Sequence, residues 1–165
     1  MAGGVRRGIV PRIFESWIAP RRVVRGLRGM PDAALTVVLL AAMLVFLLAQ
    51  APMHAREATL DTSVSLGARL SGAALAVMFL MPLVAYAVAQ LTALASRLTP
   101  WRISSEDSRL ALFWALLASS PAMLLAGLTA GLVGPSAALT LTRAIAGTGF
   151  LVIWAAGIAA LSVRR

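Results

Sequence analysis

From Ala33 to Ala51 the chain reads AALTVVLLAAMLVFLLAQA, without one charged side chain. A helix of about 20 apolar residues crosses the hydrocarbon core of a bilayer, so this run suits a membrane. Three further runs resemble it. The second lies within Gly67 to Ser96 and is uncharged from Leu70 onward, the third runs from Leu110 to Val133, and the fourth from Leu139 to Val163. Arg143, near the start of the fourth, is placed where a long side chain can snorkel to the interface. None of the four alternates with period two over short segments, which argues against a β-barrel. The pattern predicts an all-α polytopic membrane bundle of four transmembrane helices, at about 33–51, 70–94, 110–133 and 139–163. Composition supports this: 60% of the 165 residues are hydrophobic and 13% are charged, where a soluble domain has about 25% charged residues. An aqueous globular domain and a disordered chain are both excluded.

The segments between the runs carry turn and cap signals. Pro52 to Leu66 is expected to form a polar loop. Arg97 to Arg109 forms a second, in which Ser104 or Ser105 can cap a helix whose first turn holds Glu106 and Asp107. Gly134-Pro135-Ser136 reads as a tight turn joining the last two spans. All 15 basic residues are arginine, and six acids leave a net charge of +9. The preference for arginine over lysine fits codon bias, so the placement of the charges is the informative part. Because they sit between apolar runs, the expected partner is an anionic lipid surface and not a nucleic acid. Seven arginines precede the first span, three (Arg97, Arg102, Arg109) lie in the middle loop and two end the chain, whereas Arg56, Arg69 and Arg143 fall on the other side. The positive-inside rule then puts both termini in the cytoplasm, with the protein multi-pass in the inner (plasma) membrane. Ala49-Gln50-Ala51 resembles a leader-cleavage site. The run before it is longer than a usual leader core and three spans follow, so the first span is read as retained.

Residues 1–32 form a basic amphipathic arm. On a helical wheel Val10, Ile13, Phe14, Trp17 and Ile18 share one arc, opposite Arg12, Glu15 and Ser16. Beyond Pro20, Val23, Val24 and Leu27 make a second apolar arc, backed by Arg21, Arg22, Arg25 and Arg28. Two short interfacial helices are expected, with Phe14 and Trp17 at headgroup depth. The four arginines and Trp17 are the candidate contacts to lipid or to an acidic partner, and simple anchoring of the first span is preferred over a dedicated site.

No Asp, Glu or Lys occurs inside an apolar run, which argues against an ion-coupled transporter. Pro82, Tyr86 and Gln90 recur at i, i+4, i+8 in the second span, and Ser119-Ser120-Pro121 lies midway along the third. The preferred reading is two proline kinks, with Tyr86, Gln90 and Ser120 bonding between helices; the alternative is a substrate cavity between broken helices. Gly127 and Gly131 make a GxxxG, and Gly147, Gly149 and Gly157 extend the small-residue theme. Packing within the hairpin of spans three and four is expected, in preference to a dimer face. His54 is the only histidine and cysteine is absent, so neither a metal site nor a disulfide is expected. No catalytic or cofactor-binding signature occurs, and the chain is expected not to be an enzyme.

Three stretches resemble the Yip family (Ypt-interacting protein domain) in its short bacterial form. They are the lead-in APRRVVRGLRGMPD from Ala19 to Asp32, the second span with Pro82 at mid-helix, and RLALFWALLASSPAMLL from Arg109 to Leu125. The resemblance implies a multi-span membrane domain without enzymatic activity; eukaryotic members associate with small GTPases in vesicle trafficking. This chain has four readable spans where those members have five, and no functional residue carries over. The expected function is a non-catalytic scaffold or accessory subunit of a membrane assembly, with other membrane subunits as partners. The alternative is a small transporter or channel component.

Overall fold

In the computed structural model, which describes residues 8–164, serine hydroxyls open three of the long helices. Ser65 accepts from the Ala68 amide at the start of α4 (Leu66–Ser96), Ser104 from Asp107 at the start of α5 (Ser105–Ala118), and Ser136 from Leu139 at the start of α7 (Ala137–Leu161). Each hydroxyl satisfies an amide that has no partner within its helix. The remaining helices among the described residues are α1 (Ile9–Glu15), α2 (Pro20–Gly26), α3 (Asp32–Leu60) and α6 (Ser120–Leu132). Arg6, Arg7 and Arg165, which enter the charge count, lie outside the described residues.

The chain is a mostly helical membrane protein. α3, α4 and α7 are each long and apolar enough to cross a bilayer, and α5 with α6 passes the same test as a pair bent by 42°. The spans therefore number three, or four when the bent pair crosses as one. α5 is the centre of the bundle. Leu110 to Ala115 are all buried, as are Leu117 and Ala118, and a helix that is apolar all round belongs inside other helices. α4 meets it through an alanine face, Ala85, Ala89 and Ala93, while Leu83, Leu91 and Leu94 point outward. Ser108 on α5 donates to the Ala89 carbonyl at 2.7 Å, so the close approach that alanine permits is also hydrogen-bonded.

Proline has a different consequence in each helix. The expected loop at Pro52–Leu66 is mostly helix: α3 runs through Pro52 to Leu60, leaving only residues 61–65 as a connection. The polar residues there lie on a helix that outlasts its apolar run, held by contact of Pro52 with α6. Pro82 produces no break. One π-helical turn, Ala76–Leu80, precedes it, and this wider turn absorbs the hydrogen bond that proline cannot donate. Pro121 is accompanied by a 42° bend: α5 stops at Ala118, Ser119 keeps right-handed backbone (φ −80°, ψ −9°) at the junction, and α6 restarts with Pro121 in its first turn.

Two further connections shape the ends. Trp101–Arg102 (β1) pairs antiparallel with Val163–Arg164 (β2), tying the middle loop to the segment that follows α7. The Arg164 guanidinium lies 5.7 Å from the centre of the Trp101 ring. At the opposite end Asp61 accepts from the Ser63 hydroxyl (2.6 Å) and amide (3.0 Å) and from Arg69 (2.9 Å). The Ser63 bonds first, then Arg69, hold its carboxyl below the ordinary aspartate value of 3.8. A depressed carboxyl contributes order that is complete above the unfolded pKa and lost as pH falls through the folded one. Amide exchange at Ser63 is therefore expected to stay slow down to about pH 4 and then to rise relative to Ala58 within α3. Equal pH dependence at both positions would exclude this.

Candidate functional site

The arm is docked on the bundle. α1 buries Ile13, and Ser16 just after it is fully buried, although the wheel puts Ser16 on the polar side. That side faces α5: the Trp114 indole donates to the Ser16 hydroxyl at 2.9 Å, and Ser16 donates to the Arg12 carbonyl at 2.7 Å. Trp17, partly exposed, also packs against the bundle. Its indole N–H donates to the Ala118 carbonyl at 2.9 Å, one of the last carbonyls of α5, which lack acceptable donors within the helix. Its ring lies over Gly149 of α7, where any Cβ would overlap it. Trp17 thus spans the break between α5 and α6 and reaches α7. Phe14 (59% exposed) and Ile18 (89% exposed) remain uncovered by protein.

α2 turns its apolar arc inward. Val23, Val24 and Leu27 are buried, and Val24 approaches α7 at Gly157. The arginines on the reverse face have unequal roles. Arg28 pairs with the nearly buried Asp107 of α5 at 2.9 Å, and Arg22 pairs with Glu15, fastening α2 to α1. Arg25 donates from Nε to the Ala160 carbonyl at 3.4 Å. Arg21, Arg22 and Arg25, with Ile18, Pro20 and Ala156, border an open groove of about 620 Å³. Arg28 is thus engaged by a carboxylate of this chain itself.

The glycine seam has a partner other than the expected one. Gly127 and Gly131 face α3, not α7: a Cβ at Gly127 would strike the Ala49 carbonyl, and one at Gly131 would lie 2.7 Å from the Pro52 carbonyl carbon. The GxxxG therefore joins the third apolar run to the first. Gly157 of α7 packs on Ala111 of α5, while Gly147 faces open space.

The polar residues within the membrane-length helices do not converge. The Tyr86 hydroxyl is 2.8 Å from that of Thr36 on α3, and its ring meets Phe113 edge-on at 5.0 Å. Gln90 is exposed. Ser119 donates to the Leu116 carbonyl at 2.9 Å, and Ser120 is buried beside it. The cavities at α3–α6–α7 and among α3, α4, α5 and α7 are lined by none of Pro82, Tyr86, Gln90, Ser119, Ser120 and Pro121. Sequence reasoning missed Ser16 and Trp114, because a wheel assigns a face but not the helix that covers it. His54 sits 3.3 Å from Glu57, which also meets Arg69 at 3.6 Å.

The likeness to the Yip family rests on the quoted residues alone, for no protein family, curated protein or solved structure matches the chain.

Proposed function

We propose that this chain is a non-catalytic integral membrane protein, a scaffold or accessory subunit of a membrane assembly. It would cross the inner (plasma) membrane four times with both termini cytoplasmic. The arginine bias toward the arm, the middle loop and the tail supports that orientation. The observation that carries the functional reading is how the polar side chains of the spans and the arm are used. Tyr86 meets Thr36, Ser108 meets Ala89, Trp114 meets Ser16 and Trp17 meets Ala118. Each of these bonds fixes one segment against another. Such an interior favours a rigid packing body over a path that binds and releases a substrate. The exposed face of α4, with Phe79, Leu83, Leu91 and Leu94, is apolar surface open to lipid or a neighbouring subunit. Arg21, Arg22 and Arg25 would rest on anionic headgroups, with Phe14 and Ile18 immersed beside them.

The test is gentle extraction from native membranes, followed by sizing and identification of co-purifying chains. A defined assembly larger than this chain is expected, and it should survive Gln90→Leu and Ser120→Ala. Flux through reconstituted vesicles that Gln90→Leu abolishes would replace this reading with the transporter alternative.

A further inference from the structure

At the end of the bundle opposite the arm, two cavities adjoin between α3, α6 and α7. One, of about 360 Å³, lies between Phe46, Ala49, Met123, Ala126 and Gly147; the other, of about 390 Å³, lies toward Arg56, Leu60 and Ser136. They share Met53, Ala130 and Arg143. The first has apolar walls apart from Gln50 and Arg143, and combined they fall in the size range of small-molecule and lipid-chain pockets.

The charges at their junction are unbalanced. Arg143 lies six residues into α7, about 9 Å from its start at 1.5 Å per residue. The polar contact of its guanidinium is the Met53 sulfur at 4.0 Å, and it forms no ion pair among the described residues. Arg56, which also lines the second cavity, lies over Gly134 and has a buried Nε without a hydrogen-bond partner. Glu57 also lines the second cavity, but its carboxylate is engaged by His54 and Arg69, and Asp61 is engaged by Arg69. Two guanidinium groups without ion-pair partners among the described residues therefore stand at the polar mouth of an apolar slot. Arg56 is half-buried and Arg143 stands exposed on the apolar flank of α7, and a guanidinium facing hydrocarbon is costly without an opposite charge.

We infer that this slot holds one phospholipid with an anionic headgroup, drawn from the leaflet opposite the arm. Its phosphate pairs with Arg143 and Arg56, for which arginine's forked donors are suited. One acyl chain lies in the cavity between Ala49, Ala126 and Gly147. The site is separate from the arm groove and does not depend on the scaffold reading.

The test is native mass spectrometry of the whole protein in a neutral detergent, titrated with phosphatidylglycerol or with phosphatidylcholine of the same chains. One phosphatidylglycerol is expected to be retained selectively. Arg143→Gln should weaken retention about tenfold, the scale of one charge-assisted contact. Gly147→Leu, at a position where a new side chain meets open space, should block the chain without lowering the melting temperature. Arg21→Gln with Arg22→Gln should leave this retention intact, separating the slot from the arm. Equal retention of phosphatidylcholine, or indifference to both Arg143→Gln and Gly147→Leu, overturns the inference. Stabilisation by inorganic phosphate equal to that by the lipid overturns the acyl-chain half of it. Loss of phosphatidylglycerol in the arm variant alone places the lipid on the arm instead.

Discussion

Gly127→Ala is expected to destabilise the folded bundle by about 3 kcal/mol, the upper part of the range for overpacking a close-packed contact. A methyl group is a small addition, but here it would enter the Ala49 carbonyl on α3, and backbone cannot rotate aside as a side chain can. Gly131→Ala repeats the conflict one turn later against Pro52. The two sites share a seam, so the double variant should lose less than the sum of the two, since the first already separates the helices. Gly147→Ala is the control: it adds a methyl in open space and should gain up to about 1 kcal/mol from helix propensity. Reversible unfolding in mixed micelles, followed by tryptophan fluorescence, measures all four. Equal melting of Gly127→Ala and Gly147→Ala would mean that α3 and α6 do not pack as described.

Trp17→Ala is expected to release the arm while leaving the spans folded. The indole is 38% exposed, so the loss falls below the 3–5 kcal/mol typical of a fully buried aromatic truncation, at about 2–3 kcal/mol. That includes about 1 kcal/mol for the bond to Ala118. The loss concerns docking, which is a local equilibrium with its own free energy. Trypsin, which cuts after arginine, should therefore cleave at Arg21 to Arg28 at least tenfold faster than in the parent protein, with cleavage at Arg69, in the first turn of α4, unchanged. Trp17→Phe keeps a ring over Gly149 without the N–H and should fall between the two. If Trp17→Ala leaves arm cleavage at the parent rate, the docked arm is not the state in solution.

The parts legible in the sequence are those that depend on one segment at a time. An uncharged run such as Ala33–Ala51 announces a span because no aqueous environment accepts it, and Ser104 with Glu106 and Asp107 announces a helix start from local bonding. The parts that were not legible depend on which segment meets which. GxxxG reports that a backbone comes close to Gly127 and Gly131, yet not whose backbone, and α3 takes the place expected of α7. Pro52 reads as a loop because its neighbours are polar; its helix persists through a contact on α6. The strand pair Trp101–Arg102 with Val163–Arg164 is too short to leave a periodicity. Arg143 was visible as a snorkelling residue, but its lack of a carboxylate partner emerges only once Glu57, Asp61 and Arg69 are seen to satisfy one another.

The position of Trp17 also has a consequence for timing. Its acceptor, Ala118, lies 101 residues downstream, and Gly149, over which its ring rests, comes later still. The arm leaves the ribosome before the helices from which its berth is built. At synthesis rates of about 5–20 residues per second, the arm stays undocked for on the order of ten seconds. Throughout that interval its arginines and apolar arcs are available to the membrane surface or to the insertion machinery. Closure of the arm then marks the moment when α7 has taken its place.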